Sequence, residues 1–271
     1  VKTDITMDFF MDFEKVKEND DIYTLTATVV DFAGNETSET ITFSVNRFGS
    51  VYVFDESLKN IEGKFVNKEI DVVVTETNVD SLISETNKVK MTKNGTPTDL
   101  VEDKDYTVKK SGGNGKWSQY TYVVDKSLFA GDGRYTVSLH SKDAAGNINE
   151  NINETKEAEI SFGMDKTAPV VVPIDIESGE QYPVDSKPVT ITINDNLVLD
   201  DATIYLNGKE VEYEVDGENY TFNVSSSNSK QNIKIVAVDA AGNEHNQEIN
   251  DFLVTTNLFV RWYNNTPVFI G

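Results

Sequence analysis

One pentapeptide occurs three times in the 271 residues: Asp31-Phe32-Ala33-Gly34-Asn35, Asp143-Ala144-Ala145-Gly146-Asn147 and Asp239-Ala240-Ala241-Gly242-Asn243, at intervals of 112 and 96 residues. A fixed element returning at about the length of one sandwich domain means a tandem array. Each copy follows an alternating segment. Tyr23, Leu25, Ala27 and Val29 share one face, and Thr24, Thr26 and Thr28 the other; Tyr135, Val137 and Leu139 align in the second copy, and Ile233, Ile235 and Ala237 in the third. Period-two alternation with one apolar face describes a strand lying on a core. The pentapeptide itself suits a tight connection. Asp accepts backbone N–H groups two residues on, Gly supplies a positive φ, and Asn tolerates the left-handed region. Further strands are expected at 39–45, 157–162 and 248–254, so each motif is a hairpin near the end of a module.

The upstream halves repeat too. Asn94-Gly95 and Asn207-Gly208 each stand between strand-like runs, a strong hairpin signal. From that turn to the later Asp the second copy is longer, which suggests an inserted hairpin around 103–122 turning at Gly112-Gly113-Asn114-Gly115. The expected division is then 1–48, the last strands of a truncated module; 49–166, a module with the inserted hairpin; 167–256, a third module; and 257–271, a tail. The link Asp165-Lys166-Thr167-Ala168-Pro169 is short and contains proline, which restricts bending and predicts a semi-rigid rod.

Composition excludes several functions. The chain carries 46 acidic and 24 basic residues, a net charge of −22, and only three arginines (Arg47, Arg134, Arg261). Nucleic acid is not an expected partner, because counterion release needs a basic footprint. Cysteine is absent, which removes disulfides, thiolate zinc sites and thiol catalysis. The two histidines, His140 and His245, fall in different modules, so no Ser–His–Asp constellation is expected. No pair of carboxylates is marked out for acid–base work. No catalytic, cofactor-binding or metal residue is therefore assigned, and no enzyme is expected. Asn194-Asp195-Asn196 with Asp200 and Asp201 is the one loop rich enough in oxygen donors to consider for calcium. It reads as an Asx-rich loop leaving a strand. The pentapeptide loops rank lower still.

The three D-x-A-G-N hairpins, the Asp165-Lys166-Thr167-Ala168-Pro169 link and the segment Gly133-Arg134-Tyr135-Thr136-Val137 resemble bacterial immunoglobulin-like domains arrayed in surface proteins of Gram-positive bacteria. The last segment also resembles the immunoglobulin tyrosine corner. Tyr23 matches it in the first module, and Gln231 departs from it in the third. The resemblance implies tandem all-β immunoglobulin-like antiparallel sandwiches acting as a non-catalytic, extracellular stalk or spacer, tethered to the membrane or cell wall, that holds an upstream domain away from the envelope. A competing expectation is an adhesin or carbohydrate-binding module, taking a host or cell-wall glycan or protein through exposed Tyr106, Trp117, Tyr120 and Tyr122. Leu258-Phe259-Val260-Arg261-Trp262-Tyr263 reads either as a juxtamembrane tether with a membrane anchor downstream of Gly271, or as an extra edge strand.

Overall fold

A computed structural model describes residues 19–112, 118–148 and 158–265. The chain divides into two compact units: 1–62, 70–128 and 134–161 form the first, and 63–69, 129–133 and 162–271 the second.

The first unit opens with β1 (Asp21–Val30) and β2 (Glu36–Val45), an antiparallel pair joined by the first pentapeptide. One face carries a ladder of hydroxyls, Thr26 to Thr40 at 3.0 Å and Thr28 to Ser38 at 2.8 Å. The other stacks Tyr23 on Phe43, but Val29 and Ile41 remain 68% and 59% exposed. Among the described residues this pair has no further strand beside it.

There follow β3 (Val51–Phe54), the short α1 (Glu56–Lys59), β4 (Phe65–Val66), β5 (Val72–Asn78), β6 (Lys88–Lys93), β7 (Thr96–Asp99), β8 (Tyr106–Ser111), β9 (Ser118–Val124), β10 (Gly133–His140) and β11 (Glu159–Met164). They make one sheet in the order β3-β5-β9-β8 and another in the order β4-β11-β10-β6-β7. Residues 167–256 repeat the pattern with β12 (Val170–Pro173), β13 (Gln181–Tyr182), β14 (Ser186–Asn194), β15 (Leu199–Leu206), β16 (Lys209–Glu210), β17 (Glu214–Asp216), β18 (Asn219–Ser225), β19 (Gln231–Asp239) and β20 (Glu244–Val254). Their sheets run β12-β14-β18-β17 and β13-β20-β19-β15-β16. All named pairings are antiparallel except β4 with β11 and β13 with β20. Two antiparallel sheets with this order are immunoglobulin-like sandwiches in tandem.

The matching orders correct one expectation. Hairpin β8–β9 stands where β17–β18 stands, so it is a lengthened version of a shared hairpin and adds no strands to the fold. The two Asn-Gly turns adopt the expected left-handed backbone, with φ of 51° and 81° at Asn94 and Gly95 and 51° and 78° at Asn207 and Gly208. At the tyrosine-corner position, Tyr23 donates its hydroxyl to the Asn19 carbonyl at 2.8 Å. Gln231 does the equivalent with an amide, reaching the Ser225 carbonyl at 3.2 Å.

Alternation places the core. In the second unit Val189, Ile191, Ile193, Ile204, Ile233, Ile235 and Phe252 form the core cluster, with Gln231 buried at its margin. In the first unit the inward face of β5 runs Val72, Val74, Glu76, Asn78, so a carboxylate enters the interior. Val51 pairs with Thr77, and Val170 pairs with Asn194. Glu76 therefore takes the place that Ile193 holds in the second unit. Its Oε1 accepts from Ser50 and Ser141 hydroxyls at 2.5 Å each and from Tyr52 at 3.1 Å, and its Oε2 from Tyr122 at 2.9 Å. Four donors satisfy a carboxylate that has no cationic partner among the described residues, the condition under which burial of a charge is tolerated.

Burial and the adjacent Glu76 charge push the Tyr52 and Tyr122 phenols well above their ordinary value. A folded-state value raised above the unfolded one contributes stability below pH 10, and that contribution is lost as pH rises beyond it. Spectrophotometric titration should therefore show Tyr52 and Tyr122 ionising only when the first unit unfolds in alkali. Smooth titration of every tyrosine near pH 10 with the fold intact would contradict this environment.

After β20 the chain forms α2 (Leu258–Asn265), with the Asn257 side chain capping the Phe259 and Val260 amides. The edge-strand reading of this stretch is thus corrected: the side chains that would alternate on a strand lie on a helix. Leu258, Phe259, Trp262 and Tyr263 are exposed. No helix among the described residues is long and apolar enough to cross a membrane.

Candidate metal centre at the Asp165 link

The residue directly after β2 is Asn46, and the residue directly after β11 is Asp165. Each meets the pentapeptide loop of the sandwich that follows. Within the loop the geometry is the same in all copies: Asn35, Asn147 and Asn243 each donate their backbone N–H to the Oδ1 of the leading Asp, and their side-chain amide to its Oδ2. In the two complete sandwiches that same amide reaches further. Asn147 Nδ2 donates to the Asn46 carbonyl at 3.0 Å, and Asn243 Nδ2 to the Asp165 carbonyl at 2.9 Å. The motif is therefore a hairpin connection and also a clasp on the incoming chain.

A third segment joins each clasp, the residue that follows Thr77 or Asn194: Asn78 in the first unit and Asp195 in the second. Their side chains decide how the two clasps differ. In the first unit the Asp143 carboxylate is met by two amides, and Asp80 also accepts from the Asn46 amide at 3.2 Å. Asn46 Nδ2 donates to Asp143 Oδ2 at 2.8 Å and Asn78 Nδ2 at 3.1 Å. In the second unit both amides are replaced by carboxylates. One oxygen each of Asp165, Asp195 and Asp239 lies within 4.8 Å of the other two. Two ionised carboxylates at that distance repel by roughly 3 kcal/mol at an effective dielectric near 20.

Some oxygens of this cluster are used locally. Asp165 Oδ1 accepts from the Thr167 amide, and Asp195 Oδ2 accepts from the Leu197 and Val198 amides. Others are not. Asp195 Oδ1 is buried without a hydrogen-bond partner, and among the described residues no ion pair reaches any of the three acids. Asp165 and Asp239 are each 1% exposed. Burial first, then the charges of Asp195, Asp239 and Asp132, raise the Asp165 carboxyl above its ordinary value. The nearest lysine along the chain, Lys166, is engaged with Glu69.

The structure redistributes the residues singled out from the sequence. Asp195 joins a carboxylate cluster, but its companions come from the link and from the pentapeptide loop. Asp200 and Asp201 lie at the exposed start of β15. His140 contacts Ser138 and His245 contacts the Pro169 carbonyl. Tyr106, Tyr120 and Tyr122 are buried, which removes them as an exposed sugar-stacking platform; Trp117 lies outside the described residues. They point inward because Tyr120, Tyr122 and Val124 share the core face of β9.

No family model matches the chain, and no curated protein matches it. Among solved structures it is similar to the fibronectin(III)-like modules of CbhA from Clostridium thermocellum, with 13% identity over 77% of this chain and 96% of that one and a TM-score of 0.33. It is also similar to a 1.5-MDa bacterial ice-binding adhesin, with 19% identity over 87% of this chain and 75% of that one and a TM-score of 0.31. A chimeric titin Z1Z2-Z1Z2 tandem gives 12% identity over 70% of this chain and 93% of that one, at a TM-score of 0.29. At such scores the fold assignment rests on the strand order above.

Proposed function

We propose that this chain is a non-catalytic spacer of a bacterial cell-surface protein, presenting an upstream domain away from the envelope. The observation that supports it is the repeated clasp. Asn147 and Asn243 each fasten the incoming link to their own sandwich through the same amide-to-carbonyl bond. Investment in the links, repeated from copy to copy, suits a chain whose task is to hold its modules in series. The exposed Leu258, Phe259, Trp262 and Tyr263 of α2 suit a tether at a membrane interface, where aromatic side chains settle.

The adhesin or glycan-binding alternative loses three of its four aromatics to the core. The purified chain, labelled and applied to a glycan array and to host-cell and cell-wall preparations, should show no saturable binding. Saturable binding abolished by Trp117→Ala would replace the spacer with the adhesin.

A further inference from the structure

We propose that the open edge of β18 from Phe222 to Ser225, with the groove beside it, takes an extended peptide strand carrying lysine or arginine. This goes beyond the spacer role and does not depend on it.

The two sandwiches differ at this sheet edge. In the first, β9 lies between β5 and β8, and the last pair of β8 with β9 is Tyr106 opposite Val124, where β9 ends. Glu76 matches Ile193, so Val72 matches Val189, and their partners across the sheet, Val124 and Phe222, match in turn. A tyrosine pair is kept at this edge: Tyr106 meets Tyr122 with ring centroids 6.4 Å apart, and Tyr213 meets Tyr220 at 5.2 Å. The strand pairing is not kept. In the second sandwich β17 begins only at Glu214, opposite Thr221, and Tyr213 stands outside it with its hydroxyl donated to the Ala202 carbonyl. Meanwhile β18 runs on to Ser225. Phe222, Asn223, Val224 and Ser225 therefore pair with β14 alone among the described residues. A strand edge without a neighbour is a template for a further strand, because its outward N–H and C=O groups have only water to bond.

The chemistry beside the edge selects the strand. A groove of about 420 Å³, within the size range of ligand sites, lies against it. Pro188, Tyr213, Phe222 and Asn223 line it together with Glu212 and Glu214, both exposed. Among the described residues no ion pair engages either acid. The net charge of −22 adds a field that draws cationic partners and repels a second copy of the chain. A strand laid in line with β17 sets alternate side chains on the face of Phe222 and Val224 and the others on the face of Glu214. Apolar residues alternating with lysine or arginine fit both faces.

The test uses the full 271-residue chain in solution with two fluorescently labelled octapeptides, one alternating lysine with valine and one alternating glutamate with valine. Anisotropy should give a Kd of about 10–100 µM for the lysine peptide, the weak binding of a small interface, and at least about tenfold weaker binding of the glutamate peptide. Binding this weak is lost when an array or a cell preparation is washed, so it is read in solution. The lysine peptide should slow amide hydrogen exchange between Phe222 and Ser225 and leave that of β8 and β9 unchanged. Glu212→Lys with Glu214→Lys should reverse the preference, so that the glutamate peptide binds more tightly. Glu36→Lys with Glu39→Lys, an equal change of charge on the exposed β2, should leave the preference as it was. All four side chains are exposed, so neither double variant disturbs a core. Absence of saturable binding by the lysine peptide would overturn the proposal. So would equal affinity for both peptides, a preference that survives reversal of Glu212 and Glu214, or protection that falls outside Phe222–Ser225. Protection of the same amides by a panel of soluble oligosaccharides in place of the peptide would overturn it too, and make the groove a glycan site.

Discussion

Replacing Glu76 by alanine is expected to destabilise the first unit by about 3–5 kcal/mol, a loss at the upper end of single substitutions. The carboxylate is fully buried on β5 and collects four hydroxyl donors from β3, β9 and the segments beside them. Removal leaves Ser50, Tyr52, Tyr122 and Ser141 facing a cavity without their acceptor, and each stranded donor costs about 1–3 kcal/mol when no water replaces it. Glu76→Gln keeps one carbonyl oxygen for the serines and should lose clearly less. Chemical denaturation followed by tyrosine fluorescence measures both. The second unit, with Ile193 at the matching place, should keep its own transition. An alanine variant as stable as the parent would mean that the hydroxyls are satisfied by water and that Glu76 does not organise this core.

The second large effect separates two loops of nearly identical sequence. Asp143→Ala should cost about 3–5 kcal/mol, whereas Asp31→Ala should leave the first-unit midpoint almost unmoved. Locally the two aspartates do the same work, since each accepts the backbone amide and the side-chain amide of its own Asn. Asp143 is 1% exposed and also receives Asn46 and Asn78, so its loss strands donors from three segments. Asp31 is exposed, and water replaces it. Denaturation midpoints of the two variants compared with the parent decide the matter. Equal costs would show that the motif acts only as a turn and that the clasp contributes nothing.

That contrast also marks what was legible in the sequence. Alternation over Tyr23–Val29, Tyr135–Leu139 and Ile233–Ala237 suffices to place strands, because a period of two with one apolar face has few other solutions. The Asn-Gly turns and the repeat spacing follow from equally local chemistry. Local rules also predict that Glu76 faces inward, since it continues the face of Val72 and Val74. They are silent on why that is tolerated, because Ser50, Tyr52, Tyr122 and Ser141 converge only once four segments pack.

The carboxylate cluster was hidden for the same reason. Asp165, Asp195 and Asp239 are separated by 30 and 44 residues, and each alone looks like an ordinary Asx turn. One signal was available. Aligning the copies places Asn46 against Asp165 and Asn78 against Asp195, so two amide-to-acid exchanges fall beside the same motif. The tyrosines of β8 and β9 failed as a sugar platform for a related reason. A long hairpin was read as an addition to the sandwich, where it is a wall of the core.

The proposed spacer role is tested most directly on cells, in the protein from which this chain comes. Residues 49–256 would be deleted, or replaced by two immunoglobulin-like modules of unrelated sequence and similar length, and antibody access to the domain upstream would be measured. Deletion should bury that domain near the envelope and reduce antibody access, and the unrelated modules should restore it to the original level. If only the original sequence restores function while the unrelated modules fail despite equal surface display, the chain acts through its own surface and is not a spacer.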